Sequence, residues 1–352
     1  MAKKAVLKND DDTNTLDDKQ PKKKKEDLLD FIINGHALVA RPKVVIPISP
    51  AIDVGIGGGV PEGSFFIPTG KPKLGKTVTA LQLACNAQKP QYKSKFDDTG
   101  RDVYFYNIEG RLKSRDLLGI AGLNLDKFHI IESRPGRILS AEDYIDTAER
   151  LINEKPGTVH IFDSFSQLCT AARRDGDIRD RVRDDAPLLL ANFCKRICNV
   201  LPVNDTIIVG ITHIIANQGG GPMSKPTSEA SGNKIQYGSD TKLVGKYSEK
   251  WEVGGQQIGQ IIHWRCEWSA LSGPGEITSY LRYGYGLDKE SELITLAVGL
   301  GIITKGGAWL TFKDGTQAQG LEKARNVLVA NPELYESIYQ ELREMLQLKA
   351  ST

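Results

Sequence analysis

Ser64-Phe65-Phe66-Ile67-Pro68-Thr69-Gly70-Lys71-Pro72-Lys73-Leu74-Gly75-Lys76-Thr77-Val78 opens as an apolar run, turns on glycines and leads into a helical pattern over 77–87. From Gly70 to Thr77 it matches G-x4-G-K-[ST], the phosphate-binding loop. Average residue usage puts a chance match in a chain of 352 residues on the order of 1%. The order strand, loop, helix is the context the motif requires. Glycines let backbone N–H groups curl around phosphate oxygens, and the helix N-terminus adds its positive end. Lys76 is expected to reach the β- and γ-phosphates, and the Thr77 hydroxyl to ligate Mg²⁺. Gly70, Lys71, Pro72, Lys73, Leu74, Gly75, Lys76, Thr77 and Val78 together form the expected nucleotide-binding segment.

The pattern around this segment repeats. Runs at 64–68, 102–108, 128–131, 158–162 and 206–212 are rich in β-branched and aromatic residues, and helical patterns at 77–87, 141–153 and 187–200 lie between several of them. Such alternation predicts an α/β core with a largely parallel central sheet. Two strand ends carry acids suited to the phosphate site. Val159-His160-Ile161-Phe162-Asp163 ends on a carboxylate placed to hold Mg²⁺, and Asp102–Ile108 leads to Glu109, the expected general base.

Residues 214–240 interrupt the rhythm with Gly219-Gly220-Gly221, two prolines and many polar residues, and predict a long mobile loop. Strand-like runs follow at 257–264 and 277–283. From Asp288 onward three helical segments surround a short strand at 309–312, a small C-terminal α/β domain. At the other end, residues 1–25 are a charged tail closing on Lys22-Lys23-Lys24-Lys25, expected to be disordered, with the lysines solvated in preference to touching DNA or serving as a targeting signal. Glu26–Asn34 reads as a short amphipathic helix with Gly35 ending it, and Val44–Ile48 as an edge strand because it contains Pro47. The expected segments are therefore a tail (1–25), an N-terminal helix and strand arm (26–60), the core (61–286) and the C-terminal domain (287–352).

Composition is that of an ordinary globular protein, with a net charge of only +2, so any nucleic-acid contact must come from local loops. No run of about eighteen apolar residues marks a membrane span, and no apolar leader marks a secretory signal. The five cysteines include no CxxC pair, which predicts reduced thiols and a cytoplasmic protein. Cys194 and Cys198 share a helical face but lack further metal ligands.

From about Val44 to Leu348 the chain resembles the RecA family, including the UvsX-type recombinases of phages. The residues that carry the resemblance are the phosphate loop, Tyr106-Asn107-Ile108-Glu109, the strand Ile207–His213, and a C-terminal stretch with Tyr283-Gly284-Tyr285-Gly286-Leu287, Gly306-Gly307-Ala308-Trp309 and Asn331-Pro332-Glu333. The resemblance implies a RecA-like ATPase core that uses ATP and Mg²⁺. It also implies a DNA-dependent ATPase that forms a helical filament on single-stranded DNA and pairs it with homologous duplex. His213 stands where the family places a polar sensor of the γ-phosphate. The 214–240 loop corresponds to the second DNA-binding loop, with Gly232, Asn233 and Lys234 in it. The segment 173–185 corresponds to the first, with Arg179 and Arg181, although interleaved aspartates leave a solvated loop as an alternative. Lys195 matches a basic DNA-contacting position. The N-terminal helix and the strand Val44–Ile48 are implied to form one side of the filament interface. The family's closely spaced lysine pair, which reaches the neighbour's nucleotide, is missing from Ile262–Trp268; Arg265 is its expected substitute, with Lys246, Lys250 and Arg282 in reserve. The acidic C-terminal tail is missing too, which favours a phage or otherwise divergent member. A ring helicase of the same superfamily and an ATP-binding accessory protein are the competing readings.

Overall fold

The computed structural model describes residues 32–39, 43–177, 185–216, 227–229, 235 and 238–348. The chain divides into two units, residues 1–42 and residues 43–352. In the first, the described element is helix α1 (Gly35–Val39). The sequence places a helix over Glu26–Asn34 that stops at Gly35. Instead Ile32–Asn34 are non-helical and the helix begins at Gly35. Asn34 supplies the reason: its Oδ1 accepts the His36 N–H at 2.8 Å, an N-cap rather than a helical end. Residues 26–31, like the 1–25 tail, lie outside the described residues.

The second unit opens with β1 (Val45–Ile46), helix α2 (Pro50–Ile56) and β2 (Val60–Pro61), the two strands pairing antiparallel. Ile46 and Ile48 are 0% and 2% exposed, packed with Ile52, Ile56 and Val60 in the chain's own core. The Val44–Ile48 run thus buries its isoleucines within the same chain.

The central sheet comprises β3 (Phe65–Gly70), β4 (Val103–Asn107), β5 (Phe128–Ile131), β6 (Val159–Asp163), β7 (Ile207–Gly210), β8 (Thr212–Ala216), β9 (Thr227–Glu229), β10 (Thr241–Val253), β11 (Gln256–Trp268), β12 (Gly275–Arg282) and β13 (Gly286–Leu287). Their order is β13-β12-β11-β10-β3-β7-β6-β4-β5. From β10 through β5 every neighbouring pair is parallel, whereas β10 to β13 pair antiparallel. The inner parallel strands β3, β7, β6 and β4 are continuous apolar runs because both faces are covered. Helix α3 (Lys76–Ala87) packs Ala80, Leu81, Leu83 and Ala84 on one face. After the short α4 (Ser114–Leu118), α5 (Ala141–Glu154) covers the other, joined beyond α6 (Ala171–Asp175) by α7 (Ala186–Ile197), with α8 (Leu201–Asn204) leading into β7. The loop expected over 214–240 is partly built: Ile214–Ala216 of β8 pair antiparallel with Thr227–Glu229 of β9.

The C-terminal part holds α9 (Lys289–Gly299), the antiparallel strands β14 (Thr304–Gly306), β15 (Trp309–Thr311) and β16 (Gln317–Gln319), α10 (Gly320–Ala330) and α11 (Pro332–Met345). Leu293, Ile294, Leu310, Phe312, Leu328 and Leu342 form a core of its own. Buried polar bonds tie it to α2: Tyr339 donates to Asp53 at 2.7 Å, and Ala51 N–H donates to Glu292 at 3.0 Å. Another buried anchor, Arg101, pairs with Glu62 and donates to the carbonyls of Asp205 at 2.7 Å and Gly157 at 3.1 Å.

Candidate nucleotide site

The loop after β3 sits against the β10–β11 ribbon, and glycine is required for that fit. A Cβ on Gly70 would lie 2.9 Å from the Gly245 carbonyl oxygen. Gly75 has φ +70, and a Cβ there would lie 2.7 Å from Ile262. Leu74 is buried and anchors the loop, Lys71, Pro72 and Lys73 are exposed, and Val78 packs on the core at the start of α3. Lys76 is buried and donates to the carbonyls of Lys71 at 2.8 Å and Gly70 at 3.1 Å. Burial pulls its ammonium down to about 8, against the pull of the Asp163 and Glu109 charges. No ion pair holds Lys76 among the described residues, so a phosphate is the complement this ammonium calls for.

Thr77 Oγ1 donates to Asp163 Oδ2 at 2.7 Å. Burial pushes Asp163 up to about 6; the Thr77 bond lowers it and the Glu109 charge raises it. A hydroxyl and a carboxylate in contact, below a glycine cradle and a buried lysine, suit Mg²⁺ held with a nucleotide phosphate.

Glu109, just past β4, is fixed by its backbone N–H to Asp163 O at 3.0 Å. One carboxylate oxygen, Oε1, lies 2.6 Å from His213 Nε2 and accepts from Ser164 Oγ at 2.7 Å. The other lies 3.5 Å from Arg111. The His213 bond leads in holding Glu109 down to about 2, with Ser164 adding to it. An ionised carboxylate can only accept, so Nε2 of His213 carries the hydrogen. The backbone N–H of His213 in turn donates to Ser166 Oγ at 2.8 Å. Ser164, Ser166 and Arg111 went unassigned in the sequence. The signal available for Ser164 was its place directly after Asp163 at a strand end.

The structure thus brings Lys76, Thr77, Asp163, Glu109 and His213 into one crevice. It does not bring Arg265 there. Arg265 is half-exposed with its Nε 4.0 Å from Glu276. Its neighbour Trp264 packs toward the phosphate loop, so strand alternation turns Arg265 to the other face. Of the reserve cations, Arg282 is committed to Asp288 and Glu322, while Lys246 and Lys250 are exposed on β10. Lys195 is exposed on α7. Arg179, Arg181, Gly232, Asn233 and Lys234 lie outside the described residues.

Residues 291–347 match the family model described as the RecA C-terminal domain. The chain is 26% identical over 305 residues to Protein RecA of a Nitratiruptor species, covering 86% of this chain and 84% of that one. Protein RecA of Aquifex aeolicus gives the same identity over 305 residues and the same coverage. The chromosomal Protein RecA of Lactococcus lactis subsp. lactis is 26% identical over 319 residues, covering 88% of this chain and 77% of that one.

Proposed function

Because this chain has the RecA fold and belongs to the RecA family, we propose that it is a DNA-dependent ATPase that assembles on single-stranded DNA as a filament and pairs it with homologous duplex. The observation that carries this reading is the crevice itself. A buried lysine without an ion pair among the described residues, a Thr–Asp pair and a Glu–His pair meet at the ends of parallel strands of one sheet. Gly70 through Thr77 would cradle the phosphates of ATP, and Thr77 with Asp163 would hold Mg²⁺. The bound nucleotide supplies the phosphoanhydride to be cleaved. Glu109 orients water and accepts its proton. A carboxylate held to about 2 is a weak base, so Glu109 gains basicity only when the His213 N–H turns to another acceptor. His213 lies in β8, next to the 214–240 region, and that continuity would link the nucleotide state to DNA contact.

Within this reading Arg179, Arg181, Lys195, Gly232, Asn233 and Lys234 contact DNA, and Arg265 approaches the phosphates held by the next copy. A filament requires one surface patch to meet a different one on the neighbour. Its outward-turned position on β11 suits Arg265 to such a contact. The test is electron microscopy of the full chain with single-stranded DNA, with and without ATP. Nucleotide-dependent helical filaments are the expected result. Closed rings would favour a helicase, and dispersed particles under both conditions would overturn the assembly.

A further inference from the structure

A cleft of about 540 Å³ lies at the far end of α3, away from the phosphate loop. Lys89, Tyr92, Lys289, Tyr335, Glu336 and Arg343 are among its walls. Its volume falls in the range of small-molecule sites, about 300–1,000 Å³.

Neither Lys89 nor Lys289 makes an ion pair among the described residues. Burial lowers Lys89 and the nearby Lys289 charge lowers it further, against the opposing pull of Cys85 and Glu336. Lys89 has a local reason to be there: it follows the C-terminal end of α3, where a cation is favoured, and donates to Asn86 Oδ1 at 2.7 Å. Lys289 has no such reason. It is the first residue of α9, where the helix dipole repels a cation, and its contact is with the Tyr335 ring at 5.4 Å. The first turn of α11 also borders the cleft, through Pro332, Tyr335 and Glu336. Two acids also line the cleft, and neither forms an ion pair with the lysines among the described residues. Asp53 lies at the cleft floor, fully buried and bonded to Tyr339 and the Ile48 N–H, and Glu336 is exposed and accepts from Gln340 at 2.6 Å.

Two like charges facing one cavity, one of them set against a helix dipole, are stable together when an anion lies between them. We propose that this cleft binds the phosphate group of a small phosphorylated molecule, with Lys89 and Lys289 as its cationic contacts and the Tyr92 and Tyr335 rings as its walls. The same group can arrive as a free inorganic anion or on a mononucleotide, and the probes distinguish them.

The test is calorimetric titration of the full-length Lys76→Ala protein, in which the phosphate loop is disabled, with inorganic pyrophosphate, AMP and adenosine. Saturable binding of pyrophosphate or AMP is expected, with adenosine at least tenfold weaker. Tighter binding of AMP than of pyrophosphate assigns the nucleotide, and the reverse order assigns the free anion. Adding Lys289→Gln should weaken binding tenfold or more. The same change relieves two repulsions, so the thermal midpoint should hold or rise. Absence of saturable binding, adenosine binding as well as AMP, or an unchanged affinity in Lys289→Gln would each overturn the proposal. So would a marked fall in the thermal midpoint, because Lys289 would then be held by the fold itself.

Discussion

Changing Glu109 to Gln probes the electrostatics of the nucleotide crevice as well as its chemistry. Asp163 is raised to about 6, first by burial and in part by the Glu109 charge. Lys76 is lowered to about 8 by burial, with Asp163 and Glu109 resisting. A Mg²⁺–nucleotide needs the Asp163 carboxylate and the Lys76 ammonium together. Binding to the free protein should therefore be strongest between about pH 6 and 8. One unit beyond either limb, roughly nine-tenths of the competent form is gone, so affinity falls about tenfold, or ~1.4 kcal/mol. Glu109, held to about 2, stays a carboxylate throughout that window. Glu109→Gln removes this fixed negative charge. Asp163 then ionises more readily, which moves the acid limb down. Lys76 also gives up its proton more readily, which moves the alkaline limb down. The whole profile should slide to lower pH while hydrolysis is lost. A fluorescent ATP analogue titrated with Mg²⁺ across this range reads the profile without turnover. Limbs that stay fixed, or that move in opposite directions, would refute the charge coupling.

Arg101→Ala leaves the buried Glu62 carboxylate and the carbonyls of Gly157 and Asp205 without their partner; it should cost about 3–5 kcal/mol in urea denaturation at neutral pH, and a loss below about 1 kcal/mol would count against it. Burial raises Glu292 to about 8 and Asp53 to about 7, both above their unfolded values of 4.5 and 3.8. The folded state thus keeps protons that the unfolded chain releases, so stability should fall as pH rises from about 4 to about 8, by up to ~1.4 kcal/mol per unit for each group. Glu292→Gln should flatten the upper part of that slope, and denaturation midpoints measured across the range would show an unchanged slope if this is wrong.

The phosphate loop could be read from the sequence because its chemistry lies in consecutive residues. Strands β3, β4, β6 and β7 were legible within a residue or two, since burial on both faces leaves uninterrupted apolar runs. The long strand β10 was not. Its inner half, Thr241–Gly245, is buried in the sheet, while Lys246–Lys250 are exposed, so no single period runs through it. The turn Gly254-Gly255, with φ +60 and +78, was the available hairpin signal. The three-residue pairing of β8 with β9 lay in a stretch of Gly, Pro and polar residues that reads as loop throughout. At the site, the identities of Lys76, Thr77, Asp163, Glu109 and His213 were legible, but their mutual contacts were not. The contacts of Ser164 and Ser166 with Glu109 and His213 depend on how strands align, which spacing along one chain does not encode.

That alignment has an identifiable cause beneath the crevice. Parallel pairing sets Asn107 beside Asp163 and Gly70 beside His213. A one-residue slip of β6 against β4 would turn Asp163 to the opposite face and break its 2.7 Å contact with Thr77. On the face away from α3, Tyr106 stacks on Phe162 with ring centroids 4.2 Å apart, and its hydroxyl bonds His160 Nδ1 at 2.9 Å. Thr158 Oγ1 meets the other nitrogen of His160 at 3.0 Å. Burial pulls His160 down to about 3, so the ring is neutral and offers one donor and one acceptor to these two hydroxyls. The same one-residue slip would carry one of Tyr106 and His160 to the opposite face and leave buried polar atoms unpaired. The placement of Asp163 against Thr77 and Glu109 therefore rests on the register of β4 and β6, held by residues that never touch the site.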